Sequence, residues 1–89
     1  MVFAIRYKSS AMEQGEFERL SENRQVDILY HDGVYIGKQK GFCSTLLLFQ
    51  LESFYVEIRY SNYRRTIKGI HCSGSTMILE PYLDQIHFW

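Results

Sequence analysis

The sequence predicts an α+β fold, a four-stranded antiparallel meander with an N-terminal helix and a C-terminal helix packed on one face. Three observations lead there. Apolar residues recur at three- and four-residue spacing between Phe17 and Tyr30, a period of two governs the middle of the chain from Val34 to Cys72, and helical spacing returns after Ser75. Consecutive strands joined by short turns pair antiparallel, and flanking helices are left to cover the sheet.

Taken in order, Phe3, Ile5 and Tyr7 alternate with Val2, Ala4 and Arg6, so residues 1–13 hold a possible N-terminal strand or extension. Phe17 and Leu20 give a short turn of helix over Gly15 to Leu20, and Val26, Leu29 and Tyr30 a helix from Glu22 to Asp32. Ser21 caps this second helix by accepting a backbone N–H of the first turn, and Glu22 suits the positive end of its dipole. Gly33 closes it in a left-handed conformation. Val34 and Ile36 then share one face of a strand with Tyr35 on the other, and "KQKGFCS" connects to "TLLLFQLE", apolar on both faces as a strand covered from two sides would be. In "SFYVEIRY", Phe54, Val56, Ile58 and Tyr60 point inward while Tyr55, Glu57 and Arg59 point outward. After the turn "SNYRR", Ile67 and Ile70 stand three apart, and a bulge near Lys68 and Gly69 is needed to keep both in the core. The last helix carries Leu79, Leu83 and Ile86 along one stripe with Tyr82 beside it, and Pro81 falls where its missing N–H removes little.

The segments "LFQLESFYVEIRY" and "ILEPYLDQI" resemble a group of short, uncharacterised bacterial proteins that share a "QL-x-x-FYVE" strand pair and a terminal "LEPYL" helix. The resemblance spans roughly residues 17–86 and implies no activity and no catalytic residue. Gly69 and "HCSGS" stand where members have Arg and an aromatic, a departure at the end of the last strand. The letters FYVE also name a zinc-binding module, but that module needs many metal-ligating Cys and this chain has two.

A chain of 89 residues is one domain, 1–89. Ten basic and ten acidic residues cancel, so no global field holds a polyanion and nucleic acid is not the default partner. No stretch approaches the roughly 18 apolar residues of a membrane span, and the start lacks a basic region followed by an apolar run; the expectation is a cytoplasmic protein with no membrane partner and with Cys43 and Cys72 reduced.

No catalytic, metal or phosphate motif appears. His31, His71, His87, Cys43 and Cys72 fall into no metal-binding spacing, and the adjacent His71 and Cys72 point to opposite faces of a strand. The sequence therefore predicts no metal, no cofactor and no enzymatic role. Function is expected at a surface. With both helices on one face, Leu46 and Leu48 turn away from them beside Tyr35 and Tyr55, with Arg59 near by, and an apolar patch of that kind marks a contact site. The reading is a small interaction or regulatory module that self-associates as a homodimer through Tyr35, Leu46, Leu48, Tyr55 and Arg59, or meets a protein partner there. The alternative is nucleic-acid contact through the hairpin residues Tyr63, Arg64, Arg65 and Lys68, which interleave cations with an aromatic.

Overall fold

A computed structural model of the chain describes residues 12–85. Two helices, α1 (Gln14–Glu18) and α2 (Glu22–Asp32), precede four strands, β1 (Val34–Lys40), β2 (Ser44–Leu51), β3 (Phe54–Ser61) and β4 (Ile67–Ser73). A 3-10 helix, η1 (Thr76–Gln85), follows them. The strands form one antiparallel sheet in the order β1-β2-β3-β4. The α+β class and the meander are as the sequence predicts, whereas the alternation over residues 2–7 lies outside the described residues.

The first face of the sheet holds the main core. Phe17 of α1 and Leu29 of α2 are fully buried against Phe49, Leu51, Phe54, Val56 and Ile58, each such side chain contributing about 1.5–3 kcal/mol by leaving water. The two helices are locked together by the buried Gln25, whose Nε2 donates to the Phe17 carbonyl at 2.8 Å. Ser21 caps α2, its Oγ accepting the Arg24 N–H at 3.4 Å. Gly33 ends the helix in extended backbone (φ −78°, ψ 153°), not in the expected left-handed conformation. Glycine is required there by closeness instead, since a Cβ would stand 2.7 Å from the Leu29 carbonyl oxygen.

Two bulges set which side chains share a face. In β4 the extra residue is Lys68, between Ile67 opposite Tyr60 and Gly69 opposite Arg59, so Ile67, Ile70 and Cys72 all reach the core as the sequence predicts. In β1 the unopposed residue is Ile36, between Tyr35 opposite Phe49 and Gly37 opposite Leu48. This second bulge overturns the strict alternation expected of β1. Tyr35 lies on the helix-covered face with its ring 5.7 Å from that of Phe49, because an extra residue shifts the side-chain parity on either side of it.

The second face is covered by η1 and not left open. The Tyr82 hydroxyl donates to Glu57 Oε2 on β3 at 2.8 Å, and a Cβ on Gly37 of β1 would stand 3.4 Å from the Tyr82 ring. Leu48 is the β2 residue opposite both Gly37 and Glu57, so the ring lies across it, and both Leu48 and Tyr82 are 0% exposed. Further along, the Lys38 N–H donates to Gln85 Oε1 at 2.8 Å and Gln85 Nε2 donates back to the Lys38 carbonyl. Gln39 Nε2 donates to the Pro81 carbonyl. The Gln85 amide thus occupies outward-facing backbone groups of an edge strand, which protects that edge from pairing with another chain.

The C-terminal segment therefore does not share a face with α1 and α2, and the reason lies in its period. At three residues per turn, Leu79, Tyr82 and Gln85 stand in line, and Tyr82 and Gln85 meet the sheet. The α-helical period instead aligns Leu79, Leu83 and Ile86; Leu83 is 46% exposed and Ile86 lies outside the described residues. Pro81 sits inside the segment with no N–H to give, which removes one bond of a regular α-helix at that point.

Candidate functional site

The β1–β2 and β3–β4 connections emerge at the same end of the sheet, as the register of Lys40 with Thr45 and of Ser44 with Ser61 requires. The stretches Lys38 to Ser44 and Ser61 to Lys68 contain five cations, Lys38, Lys40, Arg64, Arg65 and Lys68, and no carboxylate. The fold thereby gathers four of these, Lys38, Lys40, Arg64 and Arg65, around one tip.

Asn62 clamps the two loops. Its Nδ2 donates to the Gly41 and Phe42 carbonyls at 3.1 and 3.3 Å, its N–H donates to the Cys43 carbonyl at 2.9 Å, and its Oδ1 accepts the Thr45 hydroxyl at 2.6 Å. Ser61 shapes the second loop, its Oγ accepting the N–H groups of Tyr63 and Arg64 at 3.3 and 3.1 Å. Arg65 follows in the left-handed region at φ 58°, which costs a non-glycine residue about 1 kcal/mol or more. Two aromatic rings crown this frame, Phe42 at 89% and Tyr63 at 71% exposure. Isolated apolar exposure is ordinary, but these two rings stand on adjoining loops that one side chain ties together.

On the helix-covered side, directly below the tip, lies a recess of about 360 Å³. Leu47 and Tyr60 form its apolar part, Thr45 and Asn62 its polar rim, and Lys38 and Arg65 its two cations. Tyr60 meets the Tyr30 hydroxyl at 3.2 Å. That hydrogen bond, and then burial, push its pKa up to about 12, so the ring stays a neutral platform beside the cations across the physiological range.

The predicted contact residues do not form one surface. Tyr35 lies on the helix side, 54% exposed, and Leu48 is under Tyr82. Leu46, Tyr55 and Arg59 remain on the second face, the first two half-buried and Arg59 exposed. Of the hairpin residues, Tyr63, Arg64 and Arg65 belong to the tip, whereas Lys68 is turned to a cleft on the opposite face beside Arg59. Sequence reasoning missed Lys38, Lys40 and Phe42, which sit more than twenty residues from the hairpin in the chain. The missing signal was the antiparallel register that brings two loops to one end.

Cys43 is exposed on the tip and Cys72 is half-buried, its thiol pushed up to about 11 by burial and secondarily by Glu18. Among the described residues, no group of three or more His, Cys, Asp and Glu side chains is placed to hold a metal ion, and no helix is long and apolar enough to cross a membrane. Compared with protein-family models, with curated proteins and with solved structures, the chain matches none.

Proposed function

We propose that this protein is a small binding module working by contact, and that its partner is a single-stranded nucleic acid held at the two-loop tip. One observation carries the reading: the tip brings Lys38, Lys40, Arg64 and Arg65 together with the exposed rings of Phe42 and Tyr63, with no carboxylate in either loop. Exposed rings stack bases at about 1–3 kcal/mol each, and cations between them follow the backbone phosphates. Tyr60 and Leu47, beneath Lys38 and Arg65, offer a third place for a base. A single strand fits better than a duplex, because the rings stand on loop ends and have no helix to lay in a groove.

The test is fluorescence anisotropy of a labelled single-stranded oligonucleotide across a salt series. Four phosphate contacts predict that log K falls with log salt at a slope of about −2.8 for a single strand, and Arg64→Glu with Arg65→Glu reduces that slope to about −1.4 or abolishes binding. No binding at low salt, or a slope unchanged in the double variant, rejects the reading. Self-association through the second face has weaker support, since Tyr82 already keeps water from Leu48. Leu46 and Tyr55 are the apolar groups left to it, and a sedimentation mass of one chain at high concentration would dismiss it.

A further inference from the structure

The half of the second face that η1 leaves uncovered carries a cleft of about 330 Å³ between β3 and β4. The β4 bulge builds it. As the unopposed residue, Lys68 is re-aimed to the same rim as Arg59, and Gly69, opposite Arg59, lies between the two cations. A Cβ at Gly69 would meet nothing within 4 Å, so the floor is bare by choice of residue and not by crowding. A glycine within a strand weakens it and suits a place where another molecule approaches the backbone. At the far end of the cleft stand Glu57 and His71, paired across the strands. Glu57 Oε2 accepts the Tyr82 hydroxyl. Burial first, then that bond, raise the Tyr82 pKa well above the ordinary phenol range, so the phenol remains a donor. Among the described residues no hydrogen bond reaches the other carboxylate oxygen, which can accept from a ligand.

We propose that this cleft binds a small zwitterion, a free α-amino acid, with its carboxylate on Arg59 and Lys68 over Gly69 and its ammonium on Glu57. Guanidinium and ammonium groups take a carboxylate through short charge-assisted hydrogen bonds. The carboxylate of Glu57 repels a phosphodiester chain, which separates this cleft from the tip, and an apolar ligand would have to strip water from four polar side chains. The volume is at the lower end for ligand pockets, which suits a ligand of amino-acid size.

The experiment is a ¹⁵N NMR titration of the full chain with each of the standard amino acids at millimolar concentration, and with acetate and methylammonium as the two half-ligands. At least one amino acid is expected to move the Arg59 and Lys68 to His71 amide signals saturably. Each half-ligand binds about tenfold or more weakly, as loss of one charged contact requires. Gly69→Leu, which fills the floor without altering charge, and Glu57→Gln, which keeps an acceptor for Tyr82, each lower the affinity by a similar factor. The proposal is overturned if no amino acid moves those signals, if acetate alone binds as tightly, or if Gly69→Leu, shown folded by its dispersed spectrum, binds as the parent does. Tighter binding by Glu57→Gln also overturns it, because that is the behaviour of a simple anion.

Discussion

Truncating Tyr82 to alanine tests the covering of the second face directly. The ring is fully buried, spans from Gly37 to Glu57, and roofs Leu48. Removing a buried aromatic side chain costs about 3–5 kcal/mol when the surroundings cannot collapse into the space. A chain of this length has roughly 4–13 kcal/mol in total at 0.05–0.15 kcal/mol per residue, so the loss is a large fraction of what holds it folded. Tyr82→Phe removes only the hydroxyl and leaves the half-buried Glu57 to water, an expected cost of about 0.5–1.5 kcal/mol. Urea unfolding followed by circular dichroism separates the two: with a slope of about 1–1.5 kcal/mol per molar, Tyr82→Ala lowers the midpoint by about 2–5 M and Tyr82→Phe by about 0.3–1.5 M. The alanine variant also bares Leu48, so its sedimentation mass should rise with concentration more steeply than the parent's. A cost below about 1 kcal/mol for Tyr82→Ala, or equal costs for the two variants, would mean that the ring does not roof the leucine.

Four further outcomes follow from the structure. Leu48→Asp places a carboxylate under the ring beside Glu57 and is expected to abolish the folded state, at a cost of about 3 kcal/mol or more, while the half-buried Leu46→Asp stays folded by circular dichroism. Asn62→Ala frees the Gly41 and Phe42 carbonyls and the Thr45 hydroxyl, so amide exchange in the 41–44 loop should accelerate about tenfold, with weaker oligonucleotide binding and little change in the main core. The Cys72 thiol, raised from 9.0 to about 11, holds its proton more tightly in the folded than in the unfolded chain. Its contribution to stability is therefore full below pH 9.0 and is lost as pH rises through about 11, and Cys72→Ala should flatten that alkaline decline in the urea midpoint. Iodoacetamide near neutral pH should label the exposed Cys43 well before Cys72.

Periodicity made the sheet legible. Phe54, Val56 and Ile58 are buried as their alternation demands, and the three-residue gap between Ile67 and Ile70 called for the bulge that Lys68 supplies. The Ile36 bulge carried no such mark, because Val34, Tyr35 and Ile36 are all apolar and either parity of β1 gives an acceptable pattern. The C-terminal segment was misplaced for a related reason. Leu79, Leu83 and Ile86 fit an α-helix, but Leu79, Tyr82 and Gln85 fit a 3-10 helix equally well, and only the contacts of Tyr82 with Gly37 and Glu57 decide between them. With the wrong stripe facing the sheet, the second face looked bare and Leu48 looked like an interface residue.

Net charge, too, counts residues without placing them. A formal net charge of zero excludes a global field but not a local one. The two loops at the tip contribute only cations, whereas Glu52 lies in the turn at the other end of β3, and Glu57, Glu80 and Asp84 belong to the opposite face or to η1. Eight residues of β3, at about 3.3 Å each, separate the tip from Glu52 by roughly 26 Å. That is about three Debye lengths at physiological salt, too far for the carboxylate to cancel charges at the tip. A polyanion approaching the loops would meet Lys38, Lys40, Arg64 and Arg65 with no carboxylate in either loop between them. On the proposed reading, a nucleic acid would therefore engage the chain through this one end and not through its whole surface.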